Sequence, residues 1–162
     1  HILYHGATSE VREPLTHVGR PELDFGPGFY LTNDKQQAIN WANTKAGRKK
    51  GLKAMLNIYR FDVESFLANT DFLHLVFPEY NIEWLDFIAA CRSGKAHDFD
   101  IVEGPMADDT VWNFVNDFLA GTINRKQFWV LAEFKHPTHQ ISFHTEAALQ
   151  CLKFVKCEVV HD

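Results

Sequence analysis

A few short stretches hold residues whose types and spacing suit chemistry. "LYHG" places His5 beside Gly6 at the end of a β-rich run. A histidine there can donate to a sugar hydroxyl, and glycine lets a ligand come close to the backbone. The plainer reading is a polar residue before a turn. "FGPGFY" sets Gly26, Pro27 and Gly28 directly against Phe29 and Tyr30. Glycines on both sides of a proline specify a turn with unusual dihedrals. Of the two aromatics after it, one faces the core and the other faces solvent or a ligand. Trp41 follows Tyr30 by eleven residues. It is either core or the second wall of an aromatic slot, whose obvious guest is a flat, neutral heterocycle.

Other candidates are weaker. His136, His139 and His144 in "HPTHQISFH" fit no common zinc spacing and have no cysteine pair nearby, so no metal is expected. Asp108 and Asp109 precede a helix expected from Thr110; they read as its cap or as complements to its dipole, with an active-site role second. The chain has no GxSxG, no P-loop and no GxGxxG.

The elements that must position these residues follow from periodicity. Ile2 to Tyr4 reads as a first strand with His5 at its tip, and residues 11–24, with two prolines, read as a loop. "GFYLT" is a second strand. Asn33 is placed to cap the next helix, with Gln36 completing a capping box, and Ala38, Trp41, Ala42 and Ala46 form one stripe. "GRKKG" ends that helix with cations and glycine. "AMLNIYRFDV" reads as a strand, and "NIEWLDFIAACRSG" as a helix burying Trp84, Phe87, Ile88 and Cys91. A strand at Ile101 and Val102 is expected to turn at Gly104-Pro105, and two helices follow, from Thr110 and within "RKQFWVLAEF". In "HQISFHT", Ile141 and Phe143 face one way, and Gln140, Ser142 and His144 the other. A short helix, Glu146 to Leu152, and a strand in "LKFVKCEVV" close the chain. Strands and helices mix without regular βαβ alternation, which predicts an α+β fold.

The 162 residues suit one domain, spanning 1–162 and able to bury roughly two thirds of its unfolded surface. With 46% apolar and 23% charged residues the chain reads as globular, and its 14 phenylalanines should dominate the core. A net charge of -5 argues against general nucleic-acid affinity. Three cysteines, Cys91, Cys151 and Cys157, with no CxxC, point to a reducing compartment rather than a disulfide framework. No apolar run reaches the ~20 residues that cross a bilayer, and no signal peptide is visible. The chain begins at His1, which fits a tag remnant or a segment of a longer chain.

Together these pieces resemble the ADP-ribosyltransferase fold in its poly(ADP-ribose) polymerase-like branch, and the chain looks like short bacterial proteins of that fold. That branch spreads a His-Tyr-Glu triad over three strands, with a second aromatic eleven residues after the tyrosine. The matches are "LYHG" with His5, "FGPGFYLT" with Tyr30, "AINWA" with Trp41 and "HQISFHT" with Gln140. Most of the chain is covered, including "DIVEGPMADD" and "TEAALQCLKF"; residues 64–98 match no named motif. The resemblance implies a split β-sheet core with flanking helices, and NAD as substrate without a metal. It implies that His5 bonds a ribose hydroxyl, that the Gly6 backbone pairs with the nicotinamide amide, that Tyr30 stacks on the nicotinamide ring with Trp41 on the far side, and that Gln140 sits at the ribose 2′-OH.

Two positions depart from the pattern. Ala38 stands where the family often has a small hydroxyl residue, and Gln140 stands where it has glutamate. Cleavage at the ribosyl carbon builds oxocarbenium character that a carboxylate stabilises. An amide orients a hydroxyl but carries no charge, and stabilises less by about 1–3 kcal/mol. Glu146, Asp108 or Asp109 could supply the carboxylate. The implied activity is therefore single ADP-ribose transfer to a macromolecule, protein by default and RNA or DNA as alternatives, as in a toxin or host-directed effector with an antitoxin partner. An NAD- or ADP-ribose-binding module without turnover, and an NAD glycohydrolase, are the alternatives. The expected location is cytoplasmic, or the cytoplasm of a target cell, with no membrane partner.

Overall fold

The computed structural model describes residues 1–16, 24–47, 50–107, 109–132 and 138–161. In chain order its elements are β1 (Ile2–Ala7), β2 (Phe29–Leu31), α1 (Lys35–Ala46), β3 (Met55–Phe61), α2 (Val63–Ala68), β4 (His74–Val76), α3 (Ile82–Arg92), β5 (Ile101–Met106), α4 (Asp109–Leu119), α5 (Arg125–Ala132), β6 (Thr138–Phe143), α6 (Glu146–Leu149) and β7 (Leu152–Val159). The class is α+β, as expected. Part of the loop expected over 11–24, the helix-end cations Arg48 and Lys49, Asp108 and His136 lie outside the described residues.

The strands form two sheets, one ordered β1-β3-β7 and one ordered β2-β6-β5-β4. All neighbours are antiparallel except β4 and β5. An isolated bridge between Tyr4 and Thr32 joins the edge of the first sheet to the edge of the second. Leu3 and Tyr59 from the first sheet pack with Phe29, Leu31, Ile141 and Phe143 from the second in one core cluster. The opposite face of the second sheet packs Val102 against Trp84, Leu85 and Ile88 of α3, Val111 and Val115 of α4, and Phe128 of α5. The opposite face of the first sheet receives α1, where Ala38 meets Leu56 and Ile58.

Four local expectations are corrected. First, β1 does not stop at His5: it runs on to Ala7, with Gly6 opposite Leu56 and Ala7 opposite Met55. Gly6 serves a helix contact rather than a turn. Second, α1 is capped by Asp34, whose carboxylate accepts from the amides of Gln36 (3.0 Å) and Gln37 (3.3 Å). The Thr32 hydroxyl accepts from Asp34 N–H and keeps the chain extended one residue beyond Asn33. The Gln36 side chain bonds Asn40 instead of closing a capping box. Third, β5 passes straight through Gly104 and Pro105. β4 ends at Val76, opposite Glu103, and the Pro105 carbonyl is taken by the Trp84 indole at 2.8 Å. The proline's missing N–H therefore falls on an edge that no strand covers, where proline is tolerated. Fourth, the last helix ends at Leu149, and β7 begins at Leu152.

Candidate functional site

His5, Gly6, Tyr30 and Gln140 sit on β1, β2 and β6, which the Tyr4–Thr32 bridge and the β2–β6 pairing bring side by side. The bridge uses Tyr4 N to Thr32 O at 2.8 Å and Thr32 N to Tyr4 O at 3.0 Å. Backbone groups alternate sides along an antiparallel strand, so the amide edge of Gly6 faces the same junction. The Lys45 ammonium donates to the Gly6 carbonyl at 2.7 Å. The glycine itself is dictated by α1: a Cβ would lie 2.1 Å from Ala38 O and 2.7 Å from Ala42 N.

The His5 imidazole connects the two sheets. Its Nδ1 donates to the Tyr30 carbonyl at 2.7 Å, and its ring packs on Phe29 with centroids 4.2 Å apart. Burial lowers the His5 pKa to about 3, helped by the Lys45 charge and opposed by the bond to Tyr30. The ring is thus neutral at pH 7. With Nδ1 carrying the proton, Nε2 is an acceptor, suited to a ligand hydroxyl.

The turn ahead of Tyr30 is held by side chains. Gly26 has φ of 85°, in the left-handed region that favours glycine. Gly28 lies so close to His144 that a Cβ would sit 2.7 Å from Nδ1. Three successive carbonyls are captured: Phe25 O by His97 Nε2 at 2.8 Å, Gly26 O by the Tyr30 hydroxyl at 2.6 Å, and Pro27 O by His144 Nδ1 at 2.7 Å. The Tyr30 hydroxyl also accepts from Phe25 N–H at 2.9 Å. Burial raises the Tyr30 pKa far above its ordinary value, so the phenol stays protonated. Both aromatics face a core, contrary to the expectation that one would face out: Phe29 is buried in the cluster between the sheets, and Tyr30 is half-buried against the cluster on the other face, with Phe25 stacked at 6.3 Å and His144 edge-on at 6.2 Å. The His97 and His144 rings lie 4.5 Å apart. Burial lowers the His144 pKa to about 4 against the pull of the Pro27 bond.

Gln140 is buried, and its Nε2 donates to Asp24 Oδ2 at 3.1 Å. The same oxygen accepts from Ala107 N–H at 2.9 Å, and Asp24 Oδ1 pairs with Arg92 Nη2 at the end of α3. Burial pushes the Asp24 carboxyl up, while Arg92 and the two other donors pull it down. Burial lowers Arg92 to about 10, still charged at neutral pH. Asp24 belongs to no motif of the sequence. A signal existed: Arg92 continues the buried stripe of Leu85, Ile88 and Cys91 on α3, and a cation on such a stripe needs an acid.

Other expected residues are placed less closely. Trp41 is half-buried on α1 and, among the described residues, makes no ring contact with Tyr30. Glu146 is exposed in the first turn of α6, and among the described residues Asp24 is the carboxylate hydrogen-bonded to Gln140. α4 begins at Asp109. Among the described residues no group of three His, Cys, Asp or Glu side chains converges as metal ligands would, and no helix is long and apolar enough to cross a membrane. A cleft of about 210 Å³ extends from Thr32 to Val76, with Glu103, His139 and Gln140 among its lining residues; of the expected site residues it takes in Gln140 but not His5, Gly6, Tyr30 or Trp41.

No curated protein and no solved structure matches the chain. The family described as "Protein of unknown function (DUF3990)" matches residues 1–154, and the chain belongs to that family.

Proposed function

We propose that this protein binds NAD at the β1–β2 junction and transfers one ADP-ribose to a macromolecular acceptor. The observation that carries the reading is the bond from His5 Nδ1 to the Tyr30 carbonyl, 2.7 Å long. It joins two residues far apart in sequence into one unit and leaves Nε2 to accept from a ribose hydroxyl. The amide edge of Gly6 lies beside it for a carboxamide, and the half-buried Tyr30 ring offers a surface for the nicotinamide. In the reaction the bond between the ribosyl carbon and the nicotinamide nitrogen breaks, its electron pair leaves with neutral nicotinamide, and an acceptor nucleophile bonds to the same carbon and releases its proton to solvent. Gln140 brings no charge to that centre, so catalysis comes mainly from holding a desolvated NAD and orienting the acceptor.

The test is nicotinamide release from labelled NAD in a cell lysate, followed by identification of the class of molecule that takes the label. Protein is the first expectation, with RNA and DNA as the other outcomes; a toxin or effector role follows only if label enters a host-cell component. Tyr30→Ala should abolish release, while Tyr30→Phe keeps the ring and should retain it. Unchanged turnover in Tyr30→Ala sinks the proposal. Free ADP-ribose without labelled macromolecule would mean a glycohydrolase.

One observation favours a second reading, binding of NAD or ADP-ribose without turnover: the Gln140 amide is committed to Asp24. Heat of NAD binding by calorimetry with no nicotinamide release would establish it.

A further inference from the structure

We propose that Asp24 is a positioning residue that holds Gln140 and makes glutamine, rather than glutamate, the side chain this position accepts. Three donors from three elements converge on the Asp24 carboxylate: Arg92 Nη2 from α3, the Ala107 amide just past β5, and Gln140 Nε2 from β6. Both carboxylate oxygens are used as acceptors, which suits the ionised form. An amide facing a carboxylate must turn its N–H toward it. The Gln140 side chain is therefore oriented, with Nε2 toward Asp24 and Oε1 as the remaining acceptor on a residue that lines the cleft. Among the described residues the other ionisable groups near Asp24 are Cys91 on α3 and Tyr30 on β2, both held protonated by burial.

The consequence concerns the triad's third position. A glutamate there would set a second carboxylate about 3 Å from Asp24, with Arg92 the cation bonded to Asp24. Two carboxylates so close cannot both ionise, and one must take up a proton. Gln140→Glu would then be a worse fit than an apolar isostere, although it recreates the family pattern.

The experiment compares thermal midpoints of Gln140→Glu and Gln140→Met between pH 8 and pH 5. The expected result is a lower midpoint for Gln140→Glu at pH 8, with the gap closing toward pH 5 as the shared proton is bound. If neither variant folds at pH 8, recovery of the Glu variant alone at pH 5 carries the same meaning, and recovery of neither overturns the inference. A Glu variant that melts at or above the Met variant across the whole range also overturns it. A second readout rests on the transferase reading above: Gln140→Glu should not release nicotinamide faster than the unaltered protein, and faster release would count against Asp24. If the unaltered protein releases none, the transferase reading fails, and the thermal comparison still decides the role of Asp24.

Discussion

The two halves of the candidate site are built by opposite rules. Around Tyr30, three consecutive turn carbonyls are bonded to side chains from elsewhere, and Gln140 behind them is bonded to Asp24. Around His5, one nitrogen is committed to Tyr30, and the amide edge of Gly6 faces the junction. One half is a scaffold whose polar groups satisfy one another. The other holds the His5 Nε2 and the Gly6 amide, the groups that the proposed ligand would use. Substitutions in the first half should be read in stability, and those in the second in binding, except at Gly6, which also packs on α1.

The largest effect is expected at Asp24. Asp24→Asn leaves one acceptor oxygen for three donors and removes the charge opposite Arg92, whose side chain is only 3% exposed. Breaking a buried pair from one side costs about 3–5 kcal/mol, so the urea midpoint should fall sharply or folding should fail. A loss under about 1 kcal/mol would mean that this half is not held as described. Gly6→Ala comes next and tests the other half. Its Cβ would collide with the backbone of α1 at Ala38 and Ala42, and overpacking of this kind costs about 1–3 kcal/mol or more. The cost arises with no ligand present, so lost NAD binding in this variant does not by itself establish a ligand contact. Tyr30→Phe should cost about 1–3 kcal/mol, because Gly26 O loses a donor and Phe25 N–H an acceptor. Chemical denaturation beside the nicotinamide assay separates that loss from any loss of function.

How much of this was legible in sequence depended on range. Period-two alternation is local, so "HQISFHT" already separates Ile141 and Phe143 from Gln140, Ser142 and His144, and the structure keeps that division. The positions of His5 and Tyr30 on strands were legible for the same reason. The extension of β1 through Gly6 was not, because its cause is a helix packed on the strand. Nor was the bond from Gln140 to Asp24, across 116 residues. Arg92 on a buried stripe announces a partner but does not name it. β4, three residues long, offers too short a pattern to read.

A pH effect should be common to the two halves. Both His5, at about 3, and His144, at about 4, are held below the ordinary 6.5. For each, the unfolded chain binds the proton more readily than the fold does. Stability is fully present above about pH 6.5 and is lost as pH falls toward about 4. His144→Leu should flatten part of the slope of unfolding free energy against pH in that window. Nδ1–H is given to Pro27, Nε2 lies 2.7 Å from the Ser142 hydroxyl, which also reaches Val102 O at 3.1 Å, and it is burial that disfavours the charged ring. An unaltered slope would place the pH sensitivity elsewhere.

The smallest effect on stability, and the sharpest division between halves, is expected at Lys45. Its side chain is exposed at the end of α1 and donates to Gly6 O. Lys45→Met should change stability by no more than about 0.5 kcal/mol, as for most surface changes. Two other readouts should move. The His5 pKa should rise from about 3, because the Lys45 charge is the second cause of its depression, and NMR titration of the imidazole would report it. The Gly6 carbonyl should also become available to a ligand. Free nicotinamide, which has no phosphate to interact with Lys45, should then bind a few-fold more tightly by calorimetry. A shifted His5 with unchanged nicotinamide binding would leave the electrostatics intact and remove Gly6 from the proposed ligand contacts. A large stability loss would show that the His5 half, too, is scaffold.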